Sequence, residues 1–310
     1  MQSSNLMELT MNLISLCKSQ ENLVITGHDM PDQDSIISSV MMKMLLDSFG
    51  VDAKIKFGTK WDIYTERDMK NLGIGQDISF DGFSENDTLL LVDHPKSFYP
   101  NQIIACVDHH TTLPRPDFQF NFVRGASSCG KIIFDMMKSV GKDSRESEIL
   151  ALYSVFFDTQ GCRSLKYNQE DTPWVEECIA KYSLDREELD NLGCCLNSPD
   201  EDIETVAMNG FKRYDFFGKA SISTCIQVDR TNDAWKSRIP EIVEFLKKRV
   251  SENGYLVCAL VINMPKDNLS DIYFIHNSGQ VDYVRLPRLA SRSRDVIPVL
   301  SDMSRACSLR

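Results

Sequence analysis

The chain has 310 residues, with 34 Lys plus Arg against 45 Asp plus Glu, a formal net charge of −11 and 42% hydrophobic residues. That length allows two domains and a sizeable core, and the apolar and charged fractions are those of an ordinary soluble globular protein. The acidic balance excludes a general nucleic-acid binder, which would carry a basic footprint, and no apolar run approaches the roughly 20 residues that cross a bilayer. Residues 1–11 lack a basic segment followed by an apolar stretch, so no secretory leader is expected. The 10 cysteines include no CxxC pair, and only Cys194 and Cys195 are adjacent. Buried or free thiols in a reducing, cytoplasmic compartment are expected rather than a zinc or disulfide framework.

In chain order, Leu23–Thr26 reads as a short buried strand. The loop Gly27-His28-Asp29-Met30-Pro31-Asp32-Gln33-Asp34 follows, then a helix over 35–49. In that helix Ile36, Ile37, Val40, Met41, Met44 and Leu45 recur at helical spacing, and Gly50 ends it. Residues 51–57 alternate like a strand. Thr88–Val92 and 103–107 are continuous apolar runs that end in Asp93 and Asp108, as in a parallel sheet covered on both faces. Ser127 and Ser128 can cap a helix through Ile132, Ile133, Met136 and Met137. A further helix over 146–157 delivers Asp158. The pattern predicts an α/β fold with a doubly wound, mainly parallel sheet, whose functional residues lie beyond the carboxyl ends of the strands. Residues 182–202 change character, and Asn197-Ser198-Pro199-Asp200 is a linker signal. Beyond it, strands over 219–228, 256–263 and 272–275 and an amphipathic helix over 240–250 predict a smaller α/β domain. The expected division is a domain over 1–193, a linker over 194–202 and a second domain over 203–310.

Chemistry concentrates at four places. His28, Asp32 and Asp34 share one strand-to-helix loop, which Pro31 stiffens. Asp93, the triplet Asp108-His109-His110, and Asp158 each follow an apolar run. One Asp ending a strand is commonly a cap or turn residue, but four such clusters point to a shared metal centre. Two divalent ions roughly 3.5–4 Å apart activate water and neutralise phosphoryl oxygens, which hydrolysis of a phosphoanhydride or phosphodiester needs. The oxygen and imidazole donors favour Mn²⁺, with Co²⁺ or Mg²⁺ as alternatives, and no thiol sits in any cluster. The C-terminal stretch holds Arg285, Arg288, Arg292, Arg294, Arg305 and Arg310 against Asp295 and Asp302. That makes it either a solvated charged face or an anion-binding edge.

The order His-x3-Asp-x-Asp-Ser at 28–35, Leu-Val-Asp-His at 91–94, Val-Asp-His-His at 107–110 and Phe-Asp-Thr at 157–159 resembles the DHH phosphoesterase superfamily. Residues 286–300, Leu-Pro-Arg-Leu-Ala-Ser-Arg-Ser-Arg-Asp-Val-Ile-Pro-Val-Leu, look like the Ser-Arg-Lys-Lys segment and following Val-x-Pro-x-Leu of the DHHA2 domain. Residues 210–219 are similar to the segment that opens it. Nothing resembles the Gly-Gly-Gly-His segment of the DHHA1 branch. The resemblance spans nearly the whole chain and is closest to manganese-dependent (family II) inorganic pyrophosphatases, with exopolyphosphatases as neighbours. His28 favours the pyrophosphatase side, since those exopolyphosphatases tend to have Asn there.

The resemblance implies a DHH domain and a DHHA2 domain with the active site in the cleft between them. It implies that His28 and Asp32 hold one metal, that Asp34, His109 and Asp158 hold the other, and that Asp93 bridges both. Asp108 would orient the His pair, and His110 would face the phosphate as donor or general acid. Lys212, Arg292 and Arg294 would grip a small anionic phosphate substrate. The chain departs from the pattern at Ser293, which stands where the family has a phosphate-contacting Lys. Arg294 stands for the second Lys, but neighbours on an extended backbone point to opposite sides. The departure bears on the substrate: inorganic pyrophosphate leads, short polyphosphate, a nucleoside polyphosphate or a small phosphodiester follows, and a non-catalytic metal-binding relative is the third reading. His94 is expected on the substrate side or behind the ligands, with a structural role as the alternative, His276 in a turn, and Arg163 more readily outside the cleft than facing it. Trp61, Trp174 and Trp235 are too dispersed for a stacking platform. Neither nucleic acid nor membrane is expected as a partner, and the sequence is compatible with a homo-oligomer.

Overall fold

The unbroken apolar runs of the first half become neighbours in one parallel sheet. The computed structural model describes residues 3–95, 100–111 and 117–308. Two compact units emerge, Met1–Cys162 with Tyr167–Gly193, and Arg163–Lys166 with Cys194–Arg310. The first unit runs α1 (Ser3–Lys18), β1 (Leu23–Thr26), α2 (Gln33–Asp47), β2 (Lys54–Lys56), α3 (Ile63–Asn71), β3 (Ile78–Ser79), β4 (Thr88–Val92), β5 (Gln102–Asp108), β6 (Phe120–Val123), α4 (Cys129–Ser139), α5 (Arg145–Asp158), α6 (Thr172–Tyr182) and α7 (Arg186–Cys194). Its strand order is β3-β2-β1-β4-β5-β6, and every neighbouring pair is parallel. The order reverses between β1 and β4, which opens a crevice at their carboxyl ends. Both strands are buried along their whole length. Val24, Leu89, Leu91 and Cys106 make one apolar face, against which Phe83 and Phe118 pack.

The sequence reading differs in detail. Helix α2 begins at Gln33 because the Asp32 side chain accepts from Ser35 N and caps it, so Asp34 lies in the first helical turn instead of the loop. Helix α5 opens with a capping box between Ser144 and Ser147, and Asp158 is its last residue. The short strands β3 and β6 and the helices α1, α3, α6 and α7 were not anticipated, and α7 occupies part of the segment that looked like a change toward linker.

The second unit runs α8 (Ile203–Ala207), β7 (Lys212–Phe216), β8 (Lys219–Gln227), α9 (Trp235–Glu252), β9 (Val257–Met264), β10 (Leu269–His276), β11 (Val281–Leu286) and α10 (Ile297–Ser308). Its five-stranded sheet has the order β11-β10-β9-β8-β7. Only the β8–β9 pair is parallel; the others are antiparallel. Strand β9 is buried throughout and its alternation divides two cores. Cys258, Leu260 and Ile262 join Ile242, Leu246 and Val250 of α9, while Val257, Ala259 and Val261 join Val296 and Leu300. Helix α9 starts before the anticipated position and contains Pro240.

One corner of the backbone is strained. After α5 the chain passes through Gln160, Gly161 and Cys162, all left-handed with φ of 53, 69 and 63°. Such a conformation costs a non-glycine residue roughly 1–2 kcal/mol. The corner is pinned by Gly161 N donating to Phe156 O at 2.8 Å and Cys162 N donating to Thr159 Oγ1 at 3.0 Å. Gly193 packs directly on it: a Cβ there would stand 2.6 Å from Phe156 O and 2.7 Å from Gly161 N. Both are backbone atoms that cannot swing aside. Gly193→Ala should therefore destabilise the protein by about 1–3 kcal/mol in chemical denaturation, and an unchanged midpoint would remove the corner from the packing argument.

Candidate metal centre

The carboxyl ends of β1, β4 and β5 deliver most of the polar side chains. After β1, His28 N donates to Ser35 Oγ at 2.9 Å, which folds the loop back on the start of α2. A Cβ on Gly27 would collide with that same hydroxyl, so only glycine admits this approach. After β4, Asp93 takes a left-handed φ of 58°, a conformation Asp tolerates better than most residues. Its N–H donates to Val107 O at 3.0 Å, so the backbone turns out of the sheet while staying tied to β5. Beyond β5, Asp108 Oδ1 accepts from His109 N at 2.7 Å, His110 N at 3.2 Å and His110 Nδ1 at 2.8 Å.

These placements bring together all eight residues expected from the first half of the sequence. Three groups have donor atoms within 4.8 Å of one another: His28, Asp32 and Asp93; Asp34, His109 and Asp158; and Asp93, Asp108, His109 and His110. Asp93 faces two of its neighbours with different oxygens. Its Oδ2 lies 3.5 Å from His28 Nε2, and its Oδ1 lies 3.2 Å from His109 Nε2. His109 Nε2 is also 3.8 Å from Asp34 Oδ2 and 3.7 Å from Asp158 Oδ2.

The donor set fits cations. His109 Nδ1 lies 3.2 Å from Ala126 O; a carbonyl can only accept, so this nitrogen carries the proton. In the neutral ring the Nε2 lone pair then faces three carboxylates. His109 Nε2 and Asp93 Oδ1 are both buried without a hydrogen-bond partner among the described residues, an arrangement that is repulsive until a cation or a proton enters. Burial, then the nearby Asp34 and Asp32 charges, push the Asp93 carboxyl well above the ordinary range. Burial also raises Asp34, with His109 opposing and Asp158 reinforcing. Asp108 goes the other way: burial would raise it, but the hydrogen bond and charge of His110 outweigh that and hold it low. It is therefore an ionised acceptor that fixes the His110 ring. The expectation that Asp108 orients both imidazoles is refined here, since it holds His109 only through the backbone and Ala126 O holds the His109 ring.

Supports that the sequence did not flag surround Asp34. Its Oδ1 accepts from Ser154 Oγ at 2.6 Å, Ser38 Oγ at 3.0 Å and Gly130 N at 3.1 Å, and its Oδ2 from Cys129 N at 2.9 Å. Cys129 and Gly130 open α4, so the helix's positive end faces the carboxylate. Ser128, rightly read as a cap, accepts from Lys131 N at 3.1 Å. The His94 ring lies 5.0 Å from that of His28.

Lys212, Arg292 and Arg294 belong to the second unit. Arg292 Nη1 donates to Gly210 O. Arg294 is exposed and its charge acts on Asp295. Residues Arg292–Val296 form a π-helical turn rather than the extended backbone the sequence reading assumed, so neighbouring side chains do not simply alternate. The side chain of Ser293 and all of Arg310 lie outside the described residues. Much of the basic stretch is consumed by ion pairs: Arg288 is bidentate to Asp295 at 2.8 and 2.5 Å, and Arg285 to Asp271 at 2.7 and 2.8 Å. Arg305 stacks over Phe217. His276 pairs with Asp282 at 2.9 Å, and Arg163 Nη1 donates to Cys194 Sγ at 3.6 Å.

Residues 22–155 match the DHH family, N-terminal domain. Among solved structures, the chain is similar to a candidate family II inorganic pyrophosphatase of Methanococcus jannaschii, with a TM-score of 0.74 and 20% identity over 91% of this chain and 99% of that one. It is also similar to an exopolyphosphatase-related protein of Bacteroides fragilis, with a TM-score of 0.52 and 14% identity over 98% of each. At these identities the likeness concerns the fold. No curated protein matches the chain.

Chelating divalent ions should lower the melting temperature, and Mn²⁺ should restore it; ligand at about 100 times its dissociation constant stabilises by about 2.7 kcal/mol. A melting curve indifferent to both would contradict a metal centre. The metal-free protein should also show a specific pH signature. Asp93 is raised when folded, so above its ordinary 3.8 the folded state retains a proton that the unfolded state releases. Its contribution to stability is thus lost as pH rises through the folded value. The stability of metal-free wild type relative to Asp93→Asn should fall with rising pH over that window, and a flat difference would show that Asp93 is not perturbed.

Proposed function

This chain belongs to the DHH family through residues 22–155, and on that premise we propose that it is a two-metal hydrolase of phosphoanhydride bonds, with inorganic pyrophosphate as its substrate. The observation that carries this reading is Asp93, whose two oxygens face His28 and His109 separately. A carboxylate placed between two donor groups suits a pair of neighbouring ions. His28 and Asp32 would hold one, Asp34, His109 and Asp158 the other, and Asp93 both. When bound, the ions would supply Lewis acidity to the phosphoryl oxygens and a more acidic water. Mn²⁺ is the proposed metal, because mixed imidazole and carboxylate donors suit it better than Mg²⁺.

The remaining work falls to side chains. Asp108 fixes His110 through Nδ1 at 2.8 Å, which leaves Nε2 to hold a proton for the departing phosphate. With 25% of its side chain accessible, His110 is more open than His109 at 6%, as suits a group that meets substrate instead of ions. Arg292 and Lys212 are proposed to bind phosphate oxygens, Arg292 by its planar fork and Lys212 as a point charge. A second reading, hydrolysis of short polyphosphate or another small phosphoanhydride or phosphodiester, is favoured by Ser293, which removes a cation where the family pattern has Lys. The likeness in fold to the exopolyphosphatase-related protein is compatible with either.

Phosphate release in Mn²⁺ from pyrophosphate, tripolyphosphate, ATP and a dinucleotide tests the proposal. Pyrophosphate should be cleaved fastest, and no release from it would sink the leading reading. Asp93→Ala should abolish both turnover and stabilisation by Mn²⁺; full turnover would remove it from the centre. His110→Gln should keep that stabilisation while kcat falls by about 10²–10⁴, and loss of metal binding would make it a ligand instead. Ser293→Lys should shift preference toward pyrophosphate in a competition assay; an unchanged ratio would mean this position does not set the substrate.

A further inference from the structure

One short segment, residues 124–130, runs past the metal centre into α4 and touches three of its residues. Arg124 N donates to Asp108 O at 3.2 Å. Ala126 O lies 3.2 Å from His109 Nδ1. Cys129 N and Gly130 N donate to the two oxygens of Asp34 at 2.9 and 3.1 Å. The same stretch of backbone therefore sets the ring of His109 and the carboxylate of Asp34, which belong to one group with Asp158. A carbonyl orients an imidazole only while its own backbone stays in place, so whatever holds residues 126 and 127 matters to that group.

The hold comes from the start of α6. There a tight turn brings Asp171 N to Asn168 O at 2.9 Å. Asp171 Oδ2 accepts from Ser127 N at 3.1 Å and from Ser127 Oγ at 2.6 Å. Ser127 Oγ accepts in turn from Asn168 N at 3.0 Å, and Ser127 is fully buried. Asp171 also stands at the N-cap position of α6, where an aspartate ordinarily bonds the N–H groups of its own helix. It makes no such bond: the helix forgoes its cap, and the carboxylate is committed to Ser127. Its other oxygen lies 4.0 Å from Lys131 Nζ in the first turn of α4. Lys131 is held at 2.7 Å by Asp135, which also pairs with Arg124. Both ends of the segment are thus tied down.

We propose that Asp171 is a positioning residue for the ion held by Asp34, His109 and Asp158, acting through Ser127 and Ala126 O on the His109 ring. The inference rests on the two-metal reading above. Without the carboxylate, Ser127 N and Oγ lose their shared acceptor in a buried place. The backbone at 126–127 then shifts to satisfy them, and Ala126 O moves with it. His109 loses the partner that keeps the proton on Nδ1 and the lone pair of Nε2 toward the carboxylates. Partners that orient a ligand imidazole contribute to metal affinity without touching the metal. The group of His28, Asp32 and Asp93 has no bond to this segment among those described, so the effect falls on one ion.

The test is calorimetric titration of the metal-free full chain with Mn²⁺ alone, comparing wild type with Asp171→Ala, Asp171→Asn and Asp87→Ala. Asp87 is a control for plain destabilisation. It accepts from Lys56 Nζ at 2.6 Å and Ser84 N at 2.8 Å at the amino end of β4, opposite to Asp93. Asp171→Ala should bind one ion about 10–100-fold more weakly and the other as wild type does. Asp171→Asn keeps an oxygen for Ser127 and should restore most of that affinity, and Asp87→Ala should bind both ions normally. Wild-type binding by Asp171→Ala overturns the inference, as does equal weakening of both ions or the same selective loss in Asp87→Ala. Should Asp171→Ala not fold, Ser127→Ala, which removes the hydroxyl and keeps the N–H, is read by the same criterion. A wild type that binds one ion fails the two-metal reading separately, and the comparison is then made on that ion. A wild type that binds none defeats both.

Discussion

Five carboxylates and three imidazoles gathered at the carboxyl end of one sheet are the constraint on which the rest of the first unit depends. Moving anions out of water is costly unless each is paired or hydrogen-bonded, and both effects are visible. Asp108 Oδ1 accepts from three donors of its own triplet, although its buried Oδ2 has no hydrogen-bond partner among the described residues, and Asp34 accepts from two hydroxyls and the opening N–H groups of α4. Asp93 Oδ1 has no such donor. Asp93 lies between the two halves of the centre, so the charge left uncompensated at its Oδ1 calls for cations there.

The fold meets this demand through its topology. A parallel sheet whose order reverses between β1 and β4 separates the connections leaving those strands, so that the His28 loop and Asp93 can face one another. Two local features then set the distances. Gly27 lets Ser35 close against the backbone of His28, and Asp93 takes the chain out of β4 through a left-handed φ of 58°. Asp32 serves twice, since one oxygen caps α2 while the residue also joins the group with His28 and Asp93. A cap and a ligand are not competing explanations for this residue.

Much of this was legible in the chain itself. Continuous runs such as Thr88–Val92 identify buried strands, and an acidic residue directly after such a run marks the end of a strand where function collects. Spacing could not show that Asp34 would be drawn into helix α2, because that depends on which oxygen of Asp32 points at Ser35 N. Nor could it show the ring contacts: the His109 tautomer depends on Ala126 O, distant in sequence and chemically anonymous. Short strands such as Ile78–Ser79 carry too few residues for periodicity to appear. For the basic side chains near the C-terminus the charge pattern left a solvated face and an anion-binding edge both open, and only the folded chain shows that Arg285 and Arg288 are committed to Asp271 and Asp295.

The central claim is that this centre holds two ions that share Asp93. Electron paramagnetic resonance of the Mn²⁺-loaded protein, with metal content measured on the same sample, tests it directly. Two ions per chain and an exchange-coupled signal are predicted, reverting to isolated-ion spectra when Asp93 is replaced by Ala. One ion per chain, or two that are magnetically independent in the wild type, would contradict it.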